Sequence, residues 1–117
     1  MNKFVLMATL SALTLVAAGA QAEVVGNPIA ARGKVSMCIG CHGIADYRTA
    51  YPEVYHVPKL GGQNAQYIAD ALHEYQKMDR KFQTMHAIAV SLSEQDIADI
   101  AAYYAAQTPT SPNNPDK

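Results

Sequence analysis

The sequence predicts a small all-α domain, and three observations carry the prediction. Apolar residues return every three or four positions in three separate stretches, 28–41, 64–77 and 93–107. Nowhere does the chain show the strand-rich alternation of apolar and polar residues that half-buried strands require. The one long irregular stretch, 44–60, contains Tyr47, Tyr51 and Tyr55 and is interrupted by Pro52 and Pro58, which argues against a central strand and for a loop wrapped around something.

The N-terminus has to be set aside before a core is counted. Lys3 is followed by a charge-free apolar run over residues 4–18, and Ala20, Gln21 and Ala22 then form a small-x-small pattern. This is the layout of an export signal, with cleavage after Ala22 and a mature start at Glu23. A membrane anchor would want about 20 apolar residues; this run is shorter and ends in a cleavage pattern. Removing 22 of the 117 residues leaves 95, with 8 basic and 10 acidic side chains and a net charge of about −2. The expected organisation is a signal at 1–22, one domain at 23–108 and a flexible tail at 109–117, where Pro109, Pro112 and Pro115 sit among polar neighbours. A domain of this size has a marginal core without an added staple. Its charge balance excludes a nucleic-acid binder, which needs a basic stripe to neutralise phosphates.

The helices follow in order. Pro28 suits a helix start, and Ala30, Ala31, Val35 and Met37 continue the first stretch toward residue 41. Gly61 and Gly62 mark a turn before the second, from Asn64 to about Lys77, whose apolar face is Ala65, Ile68, Ala71, Leu72 and Tyr75. The third, from Ser93 to about Gln107, has the best start signal. Ser93 is an N-cap, Asp96 carries the right charge for the first turn, and Leu92 can staple onto Ile97.

The chemistry lies in Cys38, Ile39, Gly40, Cys41 and His42. C-x-x-C-H is the attachment signature of c-type haem. Two thiols one helical turn apart add to the two vinyl groups on one edge of the porphyrin, and the adjacent imidazole comes to lie under the iron. Other readings fit less well. A thioredoxin-like pair belongs beside a βαβ pattern, a structural zinc needs four ligands while His56, His73 and His86 are scattered, and a plain disulfide leaves the core-poor domain unexplained. Two cysteines and one motif imply one covalent haem c.

The residues resemble the class I cytochromes c, and among them the short bacterial cytochrome c4 and c553-like domains. The likeness rests on Gly33-Lys34, on Cys38-x-x-Cys41-His42-Gly43, on the run from Val57 through Pro58, Lys59, Leu60, Gly61 and Gly62 to Gln63, and on Met85 to Ala89 followed by Leu92 to Ala98. It covers nearly all of the mature chain in the expected order. The resemblance implies helices packed around the haem and iron held between His and Met. His42 is then one axial ligand and Met85, in the loop before the last helix, the other; Met78 and His86 are the competitors, Met78 read as a packing residue at the end of the second helix. It further implies that the Pro58 carbonyl accepts the other N–H of His42, and that Tyr47 and Arg48, with Tyr51 and Arg80, contact the propionates. His56 and His73 are expected at the surface. Gly33 and the pair Tyr103–Tyr104 match the place where the first and last helices cross.

An iron closed on both faces suits electron transfer rather than catalysis or gas binding, and a thioether ligand raises the potential relative to two imidazoles. The expectation is an exported, periplasmic carrier and not an enzyme, moving single electrons in a respiratory chain between transiently docked redox proteins, with no nucleic acid, no small-molecule substrate, and membranes reached only through partner complexes. The alternative is the cytochrome subunit of a periplasmic dehydrogenase, such as a sulfide-oxidising flavocytochrome c.

Overall fold

In a computed structural model the residues described are 24–51, 54–108 and 110–111. The segment read from sequence as an export signal, 1–22, and nearly all of the segment read as a tail, 109–117, lie outside them. Within them the chain forms a 3-10 turn, Ala30–Gly33, then α1, Ser36–His42; β1, Arg48–Thr49; β2, Tyr55–His56; α2, Ala65–Gln76; α3, Gln83–Ala89; and α4, Glu94–Ala105. None of these helices is long and apolar enough to cross a membrane.

The two longest helices begin and end where their caps dictate. The Asn64 side chain accepts from Tyr67 N at 3.1 Å and opens α2. At α4 the Ser93 hydroxyl accepts from Asp96 N while Asp96 accepts from Ser93 N, a capping box with aspartate in the usual glutamate place. The C-terminus of α2 is less ordinary. Met78 takes a left-handed conformation, φ +63°, and lets Asp79 N reach Glu74 O at 2.9 Å, a Schellman closure normally built on glycine. Met78 is therefore past the helix and 41% exposed, and does not pack as the sequence reading expected.

Three further departures have physical causes. The stretch 28–41 is not one α-helix. Asn27 Oδ1 accepts from Ile29 N and Ala30 N, the chain winds tightly through the 3-10 turn, and α-helical geometry starts only at Ser36. The stretch 44–60 contains a small antiparallel ribbon, Arg48 opposite His56 and Thr49 opposite Tyr55, braced by the Tyr55 ring 5.0 Å from that of Phe82. Finally, Met85 sits on α3 and not in a loop. That helix is held from outside: Gln76 of α2 donates to Ala89 O, the last residue of α3, at 2.9 Å and to Leu92 O, in the turn that follows, at 3.0 Å.

The core is where α4 meets α2 and the 3-10 turn. Val35, Ile68, Leu72, Leu92, Ile97, Ile100, Tyr103 and Tyr104 are its larger members. Ile97 and Ile100 are 1% and 2% exposed, and each side chain so buried contributes roughly 1.5–3 kcal/mol. The close crossing over α4 is made by Gly26 and not by Gly33. A Cβ on Gly26 would stand 2.1 Å from Ala98 O, whereas one on Gly33 would meet nothing within 4 Å. Beside it, buried Asp99 accepts from Asn27 N at 2.7 Å, Gln95 Nε2 at 2.8 Å and Lys34 Nζ at 3.0 Å. The N-terminal strand of chain is thereby pinned to the last helix.

Candidate haem site

Cys38 and Cys41 stand three residues apart on α1, about 60° apart around the axis and ~4.5 Å along it, so both thiols leave one face. Both are free and half-buried. Cys38 packs against the core, and burial pushes its thiol up to about 11.

His42 closes the same helix. Its Nδ1 donates to Pro58 O at 2.7 Å, which fixes the tautomer and leaves Nε2 with a free lone pair. Burial lowers the imidazole pKa, an effect the Pro58 bond partly offsets, so the ring is neutral at pH 7. A neutral, oriented imidazole is what a metal ligand must be.

Pro58 is positioned from two sides. Val57 N donates to Tyr47 O at 2.9 Å, closing the ribbon just before it, and Gly62 N donates to Tyr104 O at 2.9 Å, tying the chain just after it to α4. Gly62 makes that turn with φ +82°, which a side chain would strain. The structure thus brings His42 and Pro58 together although 16 residues separate them.

Met85 is half-buried on α3 and, like Cys38, lies against the core. His86, one residue on, is turned about 100° away around the helix. Its Nδ1 donates to Tyr75 O of α2 at 2.7 Å, so its ring faces the α2 side. The propionate candidates separate. Tyr47 is half-buried and Arg48 exposed on the ribbon, and Tyr51 is 87% exposed. Arg80 is committed elsewhere, paired to Glu74, bonded to Tyr67 Oη at 3.3 Å and stacked over the Tyr67 and Tyr75 rings. His56 is exposed, 3.8 Å from Asp46, while His73 is partly buried between Gln76 and Glu94.

Sequence reasoning missed Tyr104. It was read only as an aromatic of the helix crossing, yet its hydroxyl is buried and among the described residues has no hydrogen-bond partner; Cys38 packs against the same core cluster, and after burial its sulfur pushes the Tyr104 hydroxyl's pKa up. Only its burial on the inner face of α4 was legible. Two free thiols on one face, a neutral imidazole beside them and an orphaned hydroxyl at one sulfur fit a covalently attached tetrapyrrole.

A helical domain carrying this attachment segment defines the class: a haem-binding domain of the c type. The family model for cytochrome c matches residues 30–106, and the chain belongs to that family of electron-transfer haem proteins. It is 39% identical over 85 residues to cytochrome c-554(548) of Halomonas halodenitrificans, covering 70% of this chain and 98% of that protein. It is 37% identical over 86 residues to cytochrome c4 of Pseudomonas aeruginosa, covering 74% of this chain and 41% of that one. The crystal structure of reduced recombinant cytochrome c4 from Pseudomonas stutzeri superposes with a TM-score of 0.58 at 33% identity, over 72% of this chain and 47% of that chain. The chain thus has the class I cytochrome c fold and spans less than half the length of these cytochrome c4 proteins.

Proposed function

We propose that this chain is a periplasmic electron carrier that holds one haem through Cys38 and Cys41, with His42 and Met85 as the iron's axial ligands. The observation that carries the reading is the His42–Pro58 bond at 2.7 Å, which presents a neutral imidazole nitrogen next to two free thiols. The Cys38 and Cys41 thiols would each supply the sulfur and the hydrogen for a thioether to the haem's vinyl edge, an addition that needs no oxidant. The haem iron supplies the one-electron couple. The protein's part is to keep His42 in one tautomer, to offer a soft neutral sulfur from Met85 that favours the reduced metal, and to exclude a substrate by closing both faces. Electrons then pass to and from transiently docked redox proteins through a small, weak interface. Export by residues 1–22 would deliver the chain to that compartment.

Visible and near-infrared spectra of the purified protein in both oxidation states test the reading. Met85→Ala should abolish the weak near-infrared charge-transfer band of sulfur-to-iron ligation and lower the potential, while Met78→Ala, altering an exposed side chain, should leave both intact. The reverse pattern moves the ligand to Met78, and rapid carbon monoxide binding by the native ferrous protein removes the shuttle reading altogether. Isolation from native extract in fixed stoichiometry with a flavoprotein would make the chain a dehydrogenase subunit instead.

A further inference from the structure

We propose that the Tyr104 hydroxyl donates a hydrogen bond to the Cys38 sulfur in the haem-loaded protein and, through it, raises the haem's reduction potential. The inference rests on the reading that Cys38 carries a haem bond. Tyr104 is 3% exposed, and its hydroxyl is the buried side-chain oxygen left without a partner among the described residues. A buried hydroxyl is rarely left unpaired, because the desolvation it suffers on folding is otherwise uncompensated. The sulfur near it is that of Cys38, which packs against the core cluster containing Tyr104; burial first, and the Cys38 sulfur after it, push the pKa of the Tyr104 hydroxyl up.

Attachment changes what that sulfur can do. A free thiol is both a weak donor and a weak acceptor, so two hydrogens compete for the space between sulfur and oxygen. A thioether has no hydrogen and can only accept. Once the bond to the porphyrin forms, the roles are settled: Tyr104 O–H donates and the Cys38 sulfur receives. A donor at that sulfur draws electron density away from a substituent of the macrocycle, which favours the ferrous state. Cys41, on the same face of α1, has no buried unpaired hydroxyl beside it among the described residues. The two attachment points are then electronically unequal, and the last helix reports directly on one of them.

The test uses the full-length haem-loaded protein and the variants Tyr104→Phe and Tyr103→Phe. Tyr103 stacks edge-on against Tyr104 at 5.1 Å between ring centroids and serves as the control for removing one oxygen from this helix. Tyr104→Phe should shift the reduction equilibrium two- to fivefold toward ferric, about 20–40 mV at 59 mV per tenfold, and Tyr103→Phe should not move it. In the wild-type ferrous protein, proton NMR should show a slowly exchanging Tyr104 hydroxyl with a nuclear Overhauser contact to the Cys38 β-protons. An unshifted potential in Tyr104→Phe, or a hydroxyl proton in fast exchange with no such contact, overturns the proposal. If the variant fails to mature, the wild-type hydroxyl signal decides. Acidified acetone separates the two levels: pigment stripped from the wild type sinks the attachment itself, whereas pigment retained with an unshifted potential sinks only the role of Tyr104.

Discussion

Replacing Asp99 by asparagine tests whether the last helix holds the N-terminal segment as the structure indicates. Asp99 is 2% exposed, and one carboxylate oxygen accepts from Asn27 N and Gln95 Nε2 while the other accepts from Lys34 Nζ. Asparagine keeps the shape and one acceptor oxygen, so two charge-assisted bonds fall to neutral ones at about 1 kcal/mol each, and an amide now faces the Lys34 ammonium. The lysine contact adds little, because its side chain is a third exposed and keeps Asp96. The expected loss is about 2 kcal/mol at pH 7, read as a shift in the denaturant midpoint at unchanged slope. Its pH dependence has a definite sign. The Asn27 N–H first, then Gln95, hold the Asp99 carboxyl below the usual carboxylate range. A depressed folded pKa gives stability that is complete above the unfolded value of about 3.9 and is lost as pH falls through the folded one. The gap between wild type and Asp99→Asn should therefore narrow below about pH 4. A loss under 0.5 kcal/mol at neutral pH, or a gap that stays constant into acid, would refute the assignment of Asp99 as the clamp.

Two other substitutions probe backbone positions by denaturant unfolding. Gly26→Ala should cost about 1–3 kcal/mol, since its Cβ would meet the carbonyl of Ala98 and the N-terminal segment would have to lift from α4. Met78→Gly should gain about 0.5–1 kcal/mol, the relief of left-handed strain exceeding the entropy that glycine adds to the unfolded chain; unchanged or lower stability would mean that the Met78 side chain contributes packing after all.

What could be read from the sequence follows from how far apart the cooperating residues lie. α2 and α4 were legible because period and cap agree locally: Asn64 and Ser93 each bond within three residues of themselves. α3 was not. Its seven residues are too few to form alone, its N-cap Phe82 makes no side-chain cap bond, and it owes its place to Gln76 and to the bond from His86 to Tyr75. The ribbon has two residues per strand and depends on Phe82, well outside it. At the site, Cys38, Cys41 and His42 fall within five consecutive residues and announced themselves, while Pro58 could be placed only through resemblance. Tyr104 repeats at the same spacing as Ile97 and Ile100, so nothing in the pattern distinguishes a hydroxyl aimed at a sulfur from an ordinary core ring.

These separations give α4 a role beyond packing. Asp99 fixes the segment that leads into α1, Tyr104 lies against Cys38 on α1, and the Tyr104 carbonyl receives Gly62 N from the loop that carries Pro58. Both partners of the His42–Pro58 bond are thus referred to one helix, through separate ties. A donor and an acceptor anchored independently to the same body keep their distance when the charge beside them changes, because neither can follow the charge without breaking its own tie. In the proposed haem-loaded carrier that constraint would limit structural relaxation on gain or loss of an electron, and it would come from residues outside the proposed ligand pair.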